Sequence, residues 1–131
     1  MIFDLDLKSK SLQLKQQEEL HTFSPSEYIC ERIEVESKDG TVIPVTITRD
    51  LNYSSRREKL PILLHVYGAY GHNIEPRFRD GYIPLWRRGW SIATVHVRGG
   101  GEKGALWHQG GSYLNKVLFN YIILNDCYRL I

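Results

Sequence analysis

Residues 63–111 read LLHVYGAYGHNIEPRFRDGYIPLWRRGWSIATVHVRGGGEKGALWHQGG. Two apolar runs here stop abruptly in glycine. The first, PILLHVY from Pro61, is continuously apolar, the pattern of a strand buried on both faces. Gly68 and Gly71 punctuate its end. The second, WSIATVHV from Trp90, reads as another fully buried strand, closed by Arg98 and the run Gly99-Gly100-Gly101. Between them, RFRDGYIPLWRRG has mixed periodicity and predicts a short helix ending near Gly89. Strand, crossover, strand in this order predicts a parallel pair inside an α/β sheet.

Ligands of open α/β sheets bind just beyond the carboxyl ends of the strands. Tyr67-Gly68-Ala69-Tyr70-Gly71 and Arg98-Gly99-Gly100-Gly101-Glu102 both fall there. Glycine permits positive φ and a close backbone approach, which suits an anion or oxyanion site. It equally suits tight turns packed under neighbouring loops, and spacing alone favours the turns. Neither GxxxxGK[ST] nor GxGxxG occurs, which disfavours a phosphate loop.

Outside this stretch the chain is rich in hairpin signals. MIFDLDLKSKSLQLKQQ alternates apolar and polar residues around Lys8-Ser9-Lys10-Ser11 and predicts a β-hairpin. EELHTFSPSEY is polar, holds Pro25 and reads as a linker. CERIEVES places Ile33 and Val35 between charges, Asp39-Gly40 supplies a turn, and TVIPVTITRD continues with β-branched residues, so a second hairpin is predicted. Pro44 inside that run predicts an edge strand or a bulge. LNYSSRREKLP lacks periodicity and reads as a surface loop.

Composition sets broad limits. The 131 residues suffice for one small domain, and 42% apolar with 24% charged residues is the balance of a globular chain. The formal net charge is only +2. The basic clusters Arg56-Arg57-Lys59 and Arg87-Arg88 read as solvated faces, so no nucleic-acid partner is expected. Cys30 and Cys127 are far apart and no CxxC occurs, so neither a zinc site nor a redox dithiol is expected. The N-terminus lacks the apolar core of a signal peptide, and no apolar run reaches the ~20 residues that spanning a membrane requires. A cytoplasmic location with no membrane partner is the expectation. His65 and His96, in predicted buried strands, read as core histidines with satisfied hydrogen bonds.

DGTVIPVTITRD, LLHVYGAYG and HVRGGGEKGALWHQGG, with LNK shortly after, resemble the prolyl oligopeptidase family of serine peptidases, on the side of oligopeptidase B and the prolyl endopeptidase-like proteins. The resemblance runs over roughly residues 1 to 116. It implies an α/β fold: the N-terminal part of an α/β-hydrolase domain preceded by a terminal β-propeller hairpin. Residues 1–20 would end a propeller blade, 21–27 link, 28–116 begin the catalytic domain, and 117–131 form a divergent tail. By this resemblance Tyr67 donates its hydroxyl to the oxyanion of a tetrahedral intermediate, and Tyr70 lines the cleft for short peptide substrates. Arg98 and Glu102 take a structural role, as an ion pair between loops. No metal or organic cofactor is implied.

The family's nucleophilic serine sits in a G-x-S-x-G elbow, followed by an aspartate and a histidine. No such elbow occurs in these 131 residues: Ser112 follows Gly110-Gly111, but position 114 is leucine. The resemblance also stops sharply where VLFNYIILNDCYRLI begins. The chain is therefore expected to be a truncated piece of a serine oligopeptidase, marginally stable and inactive alone. The alternative is a non-catalytic fragment that binds a partner through an exposed sheet edge.

Overall fold

The computed structural model describes residues 1–17, 23–54, 60–113 and 115. Strands β1 (Ile2–Asp6) and β2 (Ser11–Gln16) form an antiparallel hairpin by themselves. Its turn is the predicted one. Asp6 accepts from the Lys8 amide at 2.9 Å and the Ser9 hydroxyl at 2.6 Å, and Lys10 takes φ 55°. Phe3 faces Leu14 and Leu5 faces Leu12 across the ladder, all four exposed.

A four-stranded sheet holds the rest, in the order β3-β4-β6-β5. β3 (Tyr28–Glu36) and β4 (Val42–Asp50) are the second predicted hairpin, with Val35 opposite Ile43 and Ile33 opposite Val45. β5 (Ile62–Val66) and β6 (Ser91–Val95) run parallel, as the strand-crossover-strand pattern requires. The crossover contains a 3₁₀ turn at Asp80–Tyr82 and one turn of helix, α2 (Ile83–Trp86), with Gly89 at φ 81° just beyond.

Three sequence expectations need correction. Pro44 lies on an interior strand, fully buried, with no bulge in the β3–β4 register. Its carbonyl accepts from the His96 amide at 3.0 Å, one step past the last β4–β6 pair, Val45–Val95. The N and C=O of one extended residue face the same neighbour, so the missing N–H falls where that ladder ends. β5, predicted buried on both faces, is half-buried throughout because it forms an edge of the described sheet; β6 is buried along its whole length. Finally, the segment read as a loop begins with a helical turn, α1 (Leu51–Ser54), started by the Asp50 carboxylate accepting from the Asn52 amide at 2.8 Å. The rest of that segment up to residue 59 lies outside the described residues, as does the predicted tail 117–131.

The two sheet faces differ. One carries Val35, Ile43, Val45, Ile47, Ala93 and Val95, joined by Val97 and by Trp107 of α3 (Ala105–Gly110). Trp107 Nε1 donates to the Val97 carbonyl at 3.1 Å, so the indole packs there without a stranded donor. Each fully buried Ile or Val on this face stabilises the fold by about 1.5–3 kcal/mol. The other face carries Thr46, Thr48, Ile92 and Thr94, under a cavity of about 710 Å³ walled by Phe23, Tyr28, Phe78 and Trp86. Phe23, from the segment read as a linker, stacks on Tyr28 at 4.7 Å between ring centroids. That segment continues as a 3₁₀ turn over Pro25–Glu27.

Candidate functional site

Tyr67 follows the last residue of β5, at the carboxyl end of the parallel pair. It is 47% exposed, and among the described residues its hydroxyl has no hydrogen-bond partner. Its ring lies 6.3 Å from that of His72. Tyr70 is 78% exposed and takes φ 54° at the tip of the same loop. Both tyrosines thus present their rings outward from the switch between strand and crossover.

The backbone under them is interlocked. Gly68 has φ 60°, and a Cβ there would lie 2.1 Å from Val97 Cγ2 and 2.9 Å from the Arg98 carbonyl oxygen. Gly99 has φ 96°, and its Cβ would lie 2.2 Å from the Gly68 carbonyl oxygen. Glycine is required at both, for conformation and for space. The amides are engaged as well: Gly71 donates to Gly99 O at 2.9 Å, Gly99 to Trp107 O at 3.0 Å, and Gly100 to Val97 O at 3.3 Å. These three amides bond backbone, which favours the tight-turn reading at Gly71, Gly99 and Gly100.

The charged residues that flank the glycines make two separate pairs. Arg98 does not meet Glu102: its guanidinium pairs with Asp39 in the β3–β4 turn, where Asp39 also accepts from the Thr41 amide at 3.1 Å. Burial disfavours the Asp39 carboxylate, but its bonds from Thr41, with Arg98 beside it, override this and hold its pKa below the usual value. Glu102, its side chain only 10% exposed, turns the other way. Its Oε1 accepts from the Ile74 amide at 3.0 Å and lies 3.6 Å from His96 Nδ1. At that separation the His96–Glu102 contact is electrostatic, not a hydrogen bond.

His96 is buried as expected, but only one ring nitrogen is hydrogen-bonded: its Nε2 meets Thr46 Oγ1 at 2.9 Å. Its Nδ1 has only the Glu102 contact. Burial pushes its pKa below the ordinary 6.5; Glu102 opposes that, and Arg32 reinforces it. His65 does not match the core expectation: it sits on half-buried β5, where burial, with Arg79 nearby, again lowers its pKa. His108 Nδ1 donates to the Gly99 carbonyl at 2.8 Å, tying α3 to the glycine loop. Sequence spacing offered a hint of the Glu102 clamp only in the Arg-Gly-Gly-Gly-Glu run; its partners Ile74 and His96 are fixed by the fold.

Ser112 Oγ donates to the His108 carbonyl at 2.7 Å, the local bond of a helix end. Among the described residues no group of three or more His, Cys, Asp or Glu could hold a metal ion, and no helix is long and apolar enough to cross a membrane.

An outward tyrosine at the carboxyl end of parallel strands, carried on interlocked glycine loops, fits an α/β-type chain with its site at the sheet's rim. Comparison with known proteins gives that class a family. No protein-family model matches the chain. Over 86 residues it is 42% identical to the prolyl endopeptidase-like protein of Gallus gallus, covering 66% of this chain and 12% of that one. It is 32% identical over 116 residues to dipeptidyl aminopeptidase BI of Pseudoxanthomonas mexicana, covering 88% of this chain and 16% of that one. Oligopeptidase B from Trypanosoma brucei, solved with covalently bound antipain, matches with a TM-score of 0.80 at 32% identity, over 95% of this chain and 18% of that one. The chain belongs to the prolyl oligopeptidase family of peptidases. It spans between 12% and 18% of the length of these relatives.

Proposed function

We propose that these residues form the entry part of the catalytic α/β-hydrolase domain of a serine-type oligopeptidase acting on short peptides in the cytoplasm. The β1–β2 hairpin is then the end of a propeller blade, and the sheet from β3 onward begins the catalytic domain. In the complete site a serine oxygen attacks the peptide carbonyl carbon while a histidine takes the serine proton. The carbonyl π pair moves onto oxygen, and Tyr67 O–H donates to that oxyanion. Collapse expels the amine, which leaves with the proton from the histidine, and water then hydrolyses the acyl-serine. Tyr70 lines the peptide cleft beside it.

The observation that carries this reading is the Tyr67 hydroxyl, outward and unpartnered among the described residues, at the carboxyl end of β5. A donor left free by the fold is available to a charge that exists only in the transition state. Serine, acid and base are not assigned within this sequence, which holds no G-x-S-x-G elbow. A serine-reactive fluorophosphonate probe should therefore leave the 131-residue chain unlabelled and should label a longer product of the same locus. Labelling of the short chain overturns the assignment.

A second, non-catalytic reading draws on β5, whose half-buried Ile62, Leu64 and Val66 lie on an edge of the described sheet. Such an edge can take a strand from a second copy. Concentration-dependent sedimentation as a dimer would favour it; a monomer at every concentration counts against it.

A further inference from the structure

We infer that Glu102 is the positioning residue for the segment that carries Tyr67: its carboxylate fixes the far end of residues 67–74 while the Gly68–Gly99 interlock fixes the near end. The inference deepens the oxyanion role proposed for Tyr67 and rests on that reading for its functional meaning.

Tyr67 is not held by its own side chain. Its ring is half exposed, and the ring beside it, His72, belongs to the same segment. What holds the segment comes from the loop after β6. Gly71 donates to the Gly99 carbonyl at 2.9 Å. Gly101 presents a bare Cα to the next turn: a Cβ there would lie 2.4 Å from the Gly71 carbonyl oxygen and 2.5 Å from Asn73 Oδ1. Past these contacts the segment is fixed at Ile74, whose amide donates to Glu102 Oε1 at 3.0 Å.

The carboxylate is itself fixed. A Cβ at Gly100 would stand 2.2 Å from Glu102 Oε2, so the side chain lies in space that only glycine leaves open. Oε2 is buried with no hydrogen-bond partner among the described residues, and His96 Nδ1, 3.6 Å from Oε1, faces it from the end of β6. A backbone amide held by this carboxylate gains a charge-assisted bond, stronger than one to a neutral acceptor. Glu102 thus links three places in one step: the buried imidazole just past β6, the glycine loop and the segment leading back to Tyr67.

The test uses the ¹⁵N-labelled full chain and needs no peptidase activity. In E102Q the isosteric amide keeps an acceptor but loses the charge, so the Ile74 amide proton should shift upfield and the Tyr67 ring signals should move with it. The Val45 and Val95 amides, in the β4–β6 ladder, should hold their shifts. In E102A the Ile74 amide should also exchange at least about tenfold faster, the loss of one such bond. An Ile74 proton and Tyr67 ring unmoved in E102Q would overturn the inference, whether or not E102A folds. Its failure leaves the peptidase reading standing, and a negative peptidase assay leaves the clamp standing, so the two are separable.

Discussion

Gly99 lies with its bare Cα against the carbonyl of Gly68, so close that a Cβ would come within 2.2 Å of that oxygen. Two loops from neighbouring parallel strands share backbone contact there, and neither admits a side chain. Gly104 is the informative contrast: its φ of 87° is similarly left-handed, but a Cβ would meet nothing within 4 Å. With ψ −165° Gly104 lies in a region essentially confined to glycine, so Gly104→Ala should cost about 1–3 kcal/mol, the conformational penalty alone. Gly99→Ala adds a backbone collision and should cost clearly more, or abolish folding. Urea midpoints of the two variants decide it, and equal losses would mean the interlock is soft.

Histidine burial makes the stability of the chain acid-sensitive. His96 and His65 both have folded-state pKa values below the ordinary 6.5, in each case chiefly through burial. The unfolded chain therefore takes up protons first as pH falls, and stability rises with pH wherever the unfolded state binds more protons. The contribution is present above about pH 6.5 and is lost as pH drops from there towards the lower folded values. Thermal midpoints at constant ionic strength should fall between about pH 7.5 and 5.5. The double variant H65Q/H96Q should fall less steeply, and an unchanged slope would assign the effect to other groups.

Much of this fold is legible in the chain because its signals are local. The period-two pattern from Cys30 to Glu36, the Asp39-Gly40 turn and the apolar runs ending at Tyr67 and Arg98 each fix an element within a few residues. Pro44 misleads for a physical reason: a proline excludes a donor from one side of a strand, and sequence does not say that the ladder on that side has already ended. Exposure of β5 follows from its place at the sheet edge, which its apolar composition conceals. Pairing is the least legible. Arg98 and Glu102, four residues apart, read as mutual partners, yet a turn of bare glycines sends one to Asp39 and the other to Ile74 and His96. Thr46 meets His96 from 50 residues away.

Asp39 joins the hairpin turn to the glycine loop. It caps the turn through the Thr41 amide and neutralises Arg98, whose side chain is 14% exposed. The guanidinium is largely buried, so losing the carboxylate that faces it should cost more than losing a surface ion pair. Asp39→Ala should destabilise by about 1–3 kcal/mol. Asp39→Asn, which keeps the turn cap, should lose less. If both variants melt with the wild type, the contact is a surface pair of little worth.

Tyr67→Phe separates a residue held by the fold from one offered outward. The substitution removes a single oxygen from a ring already 47% exposed, and the ring's neighbour His72 remains. Because the hydroxyl has no partner among the described residues, its loss should change stability by less than about 0.5 kcal/mol. In a longer form of the protein that carries the nucleophile, the same change should lower kcat by about 10²–10³-fold with KM little altered, the signature of a donor used only in the transition state. The two measurements oppose each other usefully: a structural tyrosine shows its loss in the urea midpoint, an oxyanion donor in kcat. A large stability loss would place the hydroxyl inside the fold's own hydrogen bonding and remove it from the chemistry.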